Sequence, residues 1–133
     1  MDVTDKYEYW FDIAEYDLKT AEAMSESMRW LYVVFMCQQA IEKLAKALYV
    51  LYIDDNVPRI HSIRQIVDRY ADQFSEDVSE ARYTLFDRLT SFYLEGRYPD
   101  YLAKLSKLTD KKEAEDLLEQ TKEAFAWLLT MKP

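Results

Sequence analysis

The sequence predicts an all-α protein, an antiparallel four-helix-type bundle with one additional short helix, five helices in total. Three observations carry that expectation. The chain has one Gly and three Pro in 133 residues, too few for many strands and tight turns, and Ala, Leu, Glu, Lys and Asp dominate instead. Apolar residues recur at steps of three and four along most of its length. The stretch from Phe35 to Tyr52 contains no Gly, Pro, Ser or Asn, so nothing in it interrupts a helix.

Thr4 and Asp5 open the first helix. From Tyr7 to about Met24 the apolar positions Tyr7, Trp10, Phe11, Ala14, Leu18 and Ala21 keep the helical rhythm, while Asp5, Glu8, Asp12, Glu15, Asp17 and Glu22 make the rest acidic. Ser25-Glu26-Ser27 reads as the turn. The second helix starts near Met28 or Arg29 and runs to about Tyr52. Its first turns, Trp30 to Phe35, are apolar nearly all round, which predicts cover on several sides. Asp54 to Pro58 ends it, because Pro58 biases Val57 away from helix. His61 to Tyr70 is a short helix with Ile60, Ile63, Ile66, Val67 and Tyr70 inward. Phe74 to Ser79 reads as a loop or a frayed end, and Ser79 with Glu80 as the cap of a fourth helix carrying Ala81, Leu85, Phe86, Leu89, Phe92 and Tyr93. Gly96 follows the last apolar turn, the expected place for a left-handed residue. Arg97 to Tyr101 reads as an irregular aromatic connection. Thr109 or Asp110 caps the last helix, with Ala114, Leu117, Leu118, Thr121, Ala124, Phe125 and Leu128 toward the core. No repeat, low-complexity tract or linker divides the chain, so residues 1–133 read as one domain.

The net charge of −8 argues against a general nucleic-acid coating protein but leaves room for a local basic site. The single cysteine, Cys37, lies on an apolar helix face, where a thiol packs as a small hydrophobe. No disulfide can form within one chain, which fits a reducing cytoplasm. The N-terminal residues lack a basic segment followed by an apolar run, so no signal peptide is expected, and no apolar run approaches the roughly 20 residues of a membrane span. One histidine, without Cys-x-x-Cys or Glu-x-x-His, predicts no metal site, and no Gly-rich phosphate loop or other cofactor motif is present.

Within the second helix sits a polar row, Gln38, Gln39, Glu42, Lys43 and Lys46. It fits either a solvated edge of a core helix or a strip facing a partner or ligand. A buried amide without partners would cost roughly 1–3 kcal/mol, so two adjacent glutamines ask for an explanation. Arginines gather in the middle third, where Arg59, Arg64 and Arg69 outnumber Asp68 beside His61. Such an island can bind phosphate or an acidic partner, because Arg does so bidentately. The alternatives are solvated helix faces for the arginines, a capping or packing role for His61, and closure of the bundle end for Tyr98 and Tyr101.

Phe35-x-x-Gln-Gln-Ala-x-Glu-Lys-x-x-Lys-Ala-Leu48 resembles the signature helix of HEPN domains, helical proteins found in prokaryotes beside minimal nucleotidyltransferases. Ala14-Glu-Tyr-Asp-Leu-Lys-Thr-Ala21 is similar to the family's Ala-x-x-Asp-Leu-x-x-Ala. Pro58-Arg-Ile-His61 is similar to its Pro-Arg-x-His element, and Tyr93-Leu-Glu-Gly-Arg-Tyr-Pro99 to its Tyr-x-x-x-Arg-Tyr-Pro element. The four occur in the family's order.

The resemblance implies a four-to-five-helix bundle that dimerises through helix faces. It also implies one of two roles. Many family members are metal-independent endoribonucleases, often toxins, whose signature is Arg, four to six residues, then His. Here the positions following Arg97 hold Leu102, Ala103 and Lys104, and those preceding His61 hold Asn56, Asp55 and Asp54. The spacing is absent, so the leading expectation is a non-catalytic homodimer that partners a minimal nucleotidyltransferase in a toxin–antitoxin-like pair or binds a nucleotide or RNA phosphate. Arg59, His61, Arg97 and Tyr98 would form the recognising end, with Gln38, Glu42 and Lys43 lining the same cleft. The alternatives are a ribonuclease with a rearranged site using His61 and Arg97, and a structural interaction module.

Overall fold

The computed structural model describes residues 2–95 and 97–133. Six α-helices and one short 3-10 turn make up its regular structure: α1 (Val3–Glu26), α2 (Trp30–Tyr52), α3 (Ile63–Asp68), the turn Ala71–Gln73, α4 (Glu80–Thr90), α5 (Pro99–Leu108) and α6 (Lys111–Thr130). The all-α bundle is the architecture the sequence predicts. The addition is α5, over a stretch expected to be irregular. Pro99 occupies its first turn, where the missing N–H would have had no partner anyway, and Leu102 and Leu105 are half-buried. The expected left-handed residue at Gly96 lies outside the described residues.

The helix ends follow capping chemistry. Asp2, Ser62, Ser79 and Asp110 each accept a hydrogen bond from a backbone N–H three residues on, at 2.8, 3.3, 3.2 and 2.8 Å. At the α1–α2 turn Arg29 N–H bonds the Met24 carbonyl at 2.8 Å and Met28 N–H bonds that of Ser25 at 3.1 Å. This is the Schellman pattern, and its left-handed position is filled by Met28 (φ 59°) rather than glycine.

α2 is the axis of the molecule. It packs against α1 and α6 along its length and also meets α3, α4 and α5. Val33, Val34, Cys37, Ala40, Ile41, Leu44, Ala45, Ala47 and Leu48 are fully buried, while in the first turns Trp30, Leu31 and Phe35 are half-buried and Tyr32 is exposed, so the nearly all-round apolar start of the helix is covered only in part. Burial pushes the Cys37 thiol up to about 12, against smaller opposing effects of Thr121 and Lys122, so it sits in the core as an unionised group.

The connection from α2 to α3 is pinned at both ends. Tyr70 donates to the Ala45 carbonyl at 2.6 Å and stacks on Tyr52, ring centres 5.3 Å apart. Ile63 N–H bonds Thr90 Oγ1 at 3.2 Å, and Arg64 forks onto Asp87, its Nε 3.1 Å from each carboxylate oxygen. Val57 and Ile60 pack on the core. These contacts lay residues 57–62 across α2 and α4 and thereby place His61.

Candidate functional site: a buried carboxylate under a half-exposed histidine

The polar row of α2 does not form a solvated edge. Gln38 and Glu42 are fully buried and Lys46 nearly so, while Gln39 and Lys43 are half-buried. Because the residues stand one, three and four apart, they meet on successive turns of a single helix. Gln39 Nε2 donates to Gln38 Oε1 at 2.7 Å, and Gln38 Nε2 donates to Glu42 Oε1 at 2.8 Å. Lys43 Nζ donates to Glu42 Oε2 and to Gln39 Oε1, both at 3.3 Å, closing a ring of four side chains. Lys46 Nζ adds a second cation to Glu42 Oε2 at 3.1 Å and lies 5.8 Å from the Trp10 ring centre. The two glutamines thus satisfy one another and the carboxylate.

Burial pushes the Glu42 carboxyl up. The charges of Lys43 and Lys46, with hydrogen bonds from Lys46 and Gln38, outweigh it and hold the group below the usual carboxylate range. Asp17 of α1 goes the other way: burial raises it, and the nearby charge of Lys43 only partly compensates.

His61 closes the cluster from above. Its Nδ1 lies 3.1 Å from Glu42 Oε1. Its ring stacks on Tyr93 of the segment after α4, centres 3.9 Å apart and planes 16° from parallel. Tyr93 donates its hydroxyl to Glu95 at 3.0 Å, and its backbone carbonyl accepts from Arg97 Nε at 2.9 Å. Arg97 lies over the Tyr101 ring at 4.9 Å. Gln38, Glu42, Lys43 and His61 are therefore in direct contact, and Arg97 joins them through Tyr93. Arg59 and Tyr98 are exposed, Tyr98 at 82 %, and neither makes a contact that places it in the cluster.

The reading of the sequence missed Tyr93 and Asp17 as site residues, and named Lys46 in the polar row without placing it in the site. All three stand in the quoted motifs, so membership in a motif was the available signal. Neither Tyr93 nor Asp17 was marked by residue type, since a tyrosine after a helix and an aspartate on one are ordinary. Among the described residues no group of three or more His, Cys, Asp and Glu could hold a metal ion. Grooves lined by Asp110–Glu119 of α6, and by Arg82 and Glu123 between α4 and α6, lie away from the cluster. Among the described residues no helix is long and apolar enough to cross a membrane.

No curated protein sequence matches the chain. In fold it is similar to the crystal structure of TT1696 from Thermus thermophilus, with a TM-score of 0.78, 22% identity, and 93% of this chain and 96% of that chain covered. The family model described as HEPN domain matches residues 7–131, nearly the whole length. The chain therefore belongs to the HEPN domain family.

Proposed function

We propose that the protein is a non-catalytic HEPN domain that forms a homodimer and partners a separately encoded minimal nucleotidyltransferase, in a toxin–antitoxin-like or nucleotide-handling pair in the cytoplasm of a prokaryote. The observation that carries this is the state of the only histidine. His61 lies in the connection before α3 rather than near α4, and no arginine stands with four to six residues between it and His61. His61 and Arg97 serve as the polar end that recognises phosphate or the partner, with Gln38, Glu42 and Lys43 beneath His61, and Arg59 and Tyr98, exposed outside the cluster, extend that surface. Arg97 suits this role because only its Nε is used by the Tyr93 carbonyl, and Arg binds phosphate through paired terminal N–H groups. Co-expression with a minimal nucleotidyltransferase encoded beside it should give a co-purifying complex, and size-exclusion chromatography of the protein alone should give a dimer. A monomer that captures no such neighbour overturns the reading.

A second reading is favoured by one observation, the contact between Glu42 and His61. A carboxylate behind an imidazole is the arrangement of a general acid–base pair, and Arg97 is one residue removed. A rearranged ribonuclease predicts cleavage of RNA in chelator, leaving cyclic phosphate ends, lost in His61→Ala. Equal cleavage by both proteins removes His61 from any mechanism.

A further inference from the structure

Glu42 has four donors around two oxygens. Oε1 faces Gln38 Nε2 and His61 Nδ1, and Oε2 faces Lys43 and Lys46 Nζ. A carboxylate so surrounded is ionised and only accepts, so the hydrogen between Glu42 and His61 belongs to Nδ1. In a neutral imidazole the other nitrogen then carries a bare lone pair. The ring's exposure agrees with this. Glu42 is wholly buried, yet 45 % of the His61 side chain is exposed, and with Nδ1 turned to the buried carboxylate the ring leaves Nε2 on its other side. The stack on Tyr93 fixes the ring's rotation.

We propose that Glu42 is a positioning residue that holds His61 as the Nδ1–H tautomer, so that Nε2 faces outward as the acceptor for a ligand hydroxyl. The groups that face the imidazole are Glu42, with Lys43 and Lys46 bound to it on α2, and Tyr93, which links to Glu95 and Arg97. Asp17 reaches this set from α1 through the charge of Lys43. A ligand that fits carries a hydroxyl for Nε2 and an anionic group for the Arg97 guanidinium, which describes a sugar phosphate such as a nucleotide. The ligand class rests on the phosphate-recognising end proposed above; the tautomer does not.

His61 is the only histidine in the chain, so its ring nitrogens can be observed without assignment ambiguity. In the ¹⁵N-labelled full-length protein, at a pH where the ring is neutral, long-range proton–nitrogen correlation should show a protonated Nδ1 and an unprotonated Nε2. The reverse pattern overturns the proposal, and this reading of the wild type needs no variant that might unfold. Adenosine monophosphate should then shift the Nε2 resonance and bind about tenfold tighter than its dideoxy analogue, which lacks the sugar hydroxyls. Equal affinities, or binding of neither compound, overturn the ligand role of Nε2. A failure to co-purify a nucleotidyltransferase bears on the partner reading and leaves the tautomer result unchanged.

Discussion

Glu42 is a carboxylate that has given up water entirely and receives two lysines, a glutamine and a histidine in its place. Removing one side of a buried, bonded charge set leaves the other side stranded. Glu42→Ala should therefore destabilise the fold by about 3–5 kcal/mol, measured by urea unfolding followed by circular dichroism; a loss below ~1 kcal/mol would mean that water enters and the set is not sealed. Two other residues carry costs that the fold tolerates. Met28 holds a left-handed conformation and is 71 % exposed, so glycine there loses little packing and removes the steric cost. Met28→Gly should raise stability by up to about 1 kcal/mol, read as a higher melting midpoint. Thr121 Oγ1 is buried beside the Cys37 thiol, which it influences, and makes no hydrogen bond of full geometry among the described residues. Thr121→Val should be neutral or stabilising by up to ~1 kcal/mol in the same assay, whereas a loss above that would reveal a bond made by the hydroxyl. None of these three features was legible in the sequence. The polar row was visible, but whether it faced inward depended on residues 57–62, which approach it only in three dimensions.

At the scale of elements, what the sequence showed best was what periodicity controls. The starts of α4 and α6 were readable from Ser79 and Asp110, because capping is local chemistry, but the far end of α4 was not: the helix stops at Thr90, and Phe92 and Tyr93, expected on it, lie in the segment beyond. The inward residues of α3 and α6 were readable because their apolar steps are regular: Ile63, Ile66, Val67 and the expected α6 residues are buried, while Ile60, also expected inward, lies before the helix and is half-buried. α5 was not readable. Tyr98-Pro99 reads equally as a turn or as a helix start, and the helix has no fully buried residue to mark its face. That same lack of burial gives it a distinct dynamic character. Amides of α5 should exchange with deuterium orders of magnitude faster than those of Leu44 to Leu48 in α2, as measured by native-state hydrogen exchange. Equal protection would mean that α5 opens only with the whole domain.

For the whole molecule the decisive variable is pH. The Glu42 carboxyl is held below its usual range in the folded protein, so on acidification the unfolded chain takes up a proton first. Its contribution is complete above the ordinary glutamate value, about 4.3, and disappears as the pH falls through the lower folded value. Asp17 is raised in the fold, so its contribution has the opposite sign: it favours folding at low pH and is lost as the pH rises through its folded value, which partly offsets Glu42. Urea midpoints should fall as pH drops below about 4, and the fall should be shallower in Glu42→Gln, which has no proton to take up there. Identical slopes would place the acid sensitivity elsewhere, for example in the Arg82–Glu123 and Lys6–Asp55 pairs, whose carboxyls are also held low by their cations.

The four-membered ring of Gln38, Gln39, Glu42 and Lys43 has a consequence for the order in which the molecule is built. Every bond in it spans at most four residues of one helix, so the ring can close as soon as α2 has wound its central turns. His61 comes from 19 positions further along the chain and can dock only after the α2–α3 connection has been drawn across. The helix is the mould and the histidine the last piece set into it. Until that piece arrives, an assembling chain carries an unfinished site that neither holds an oriented imidazole nor offers a ligand its outer nitrogen.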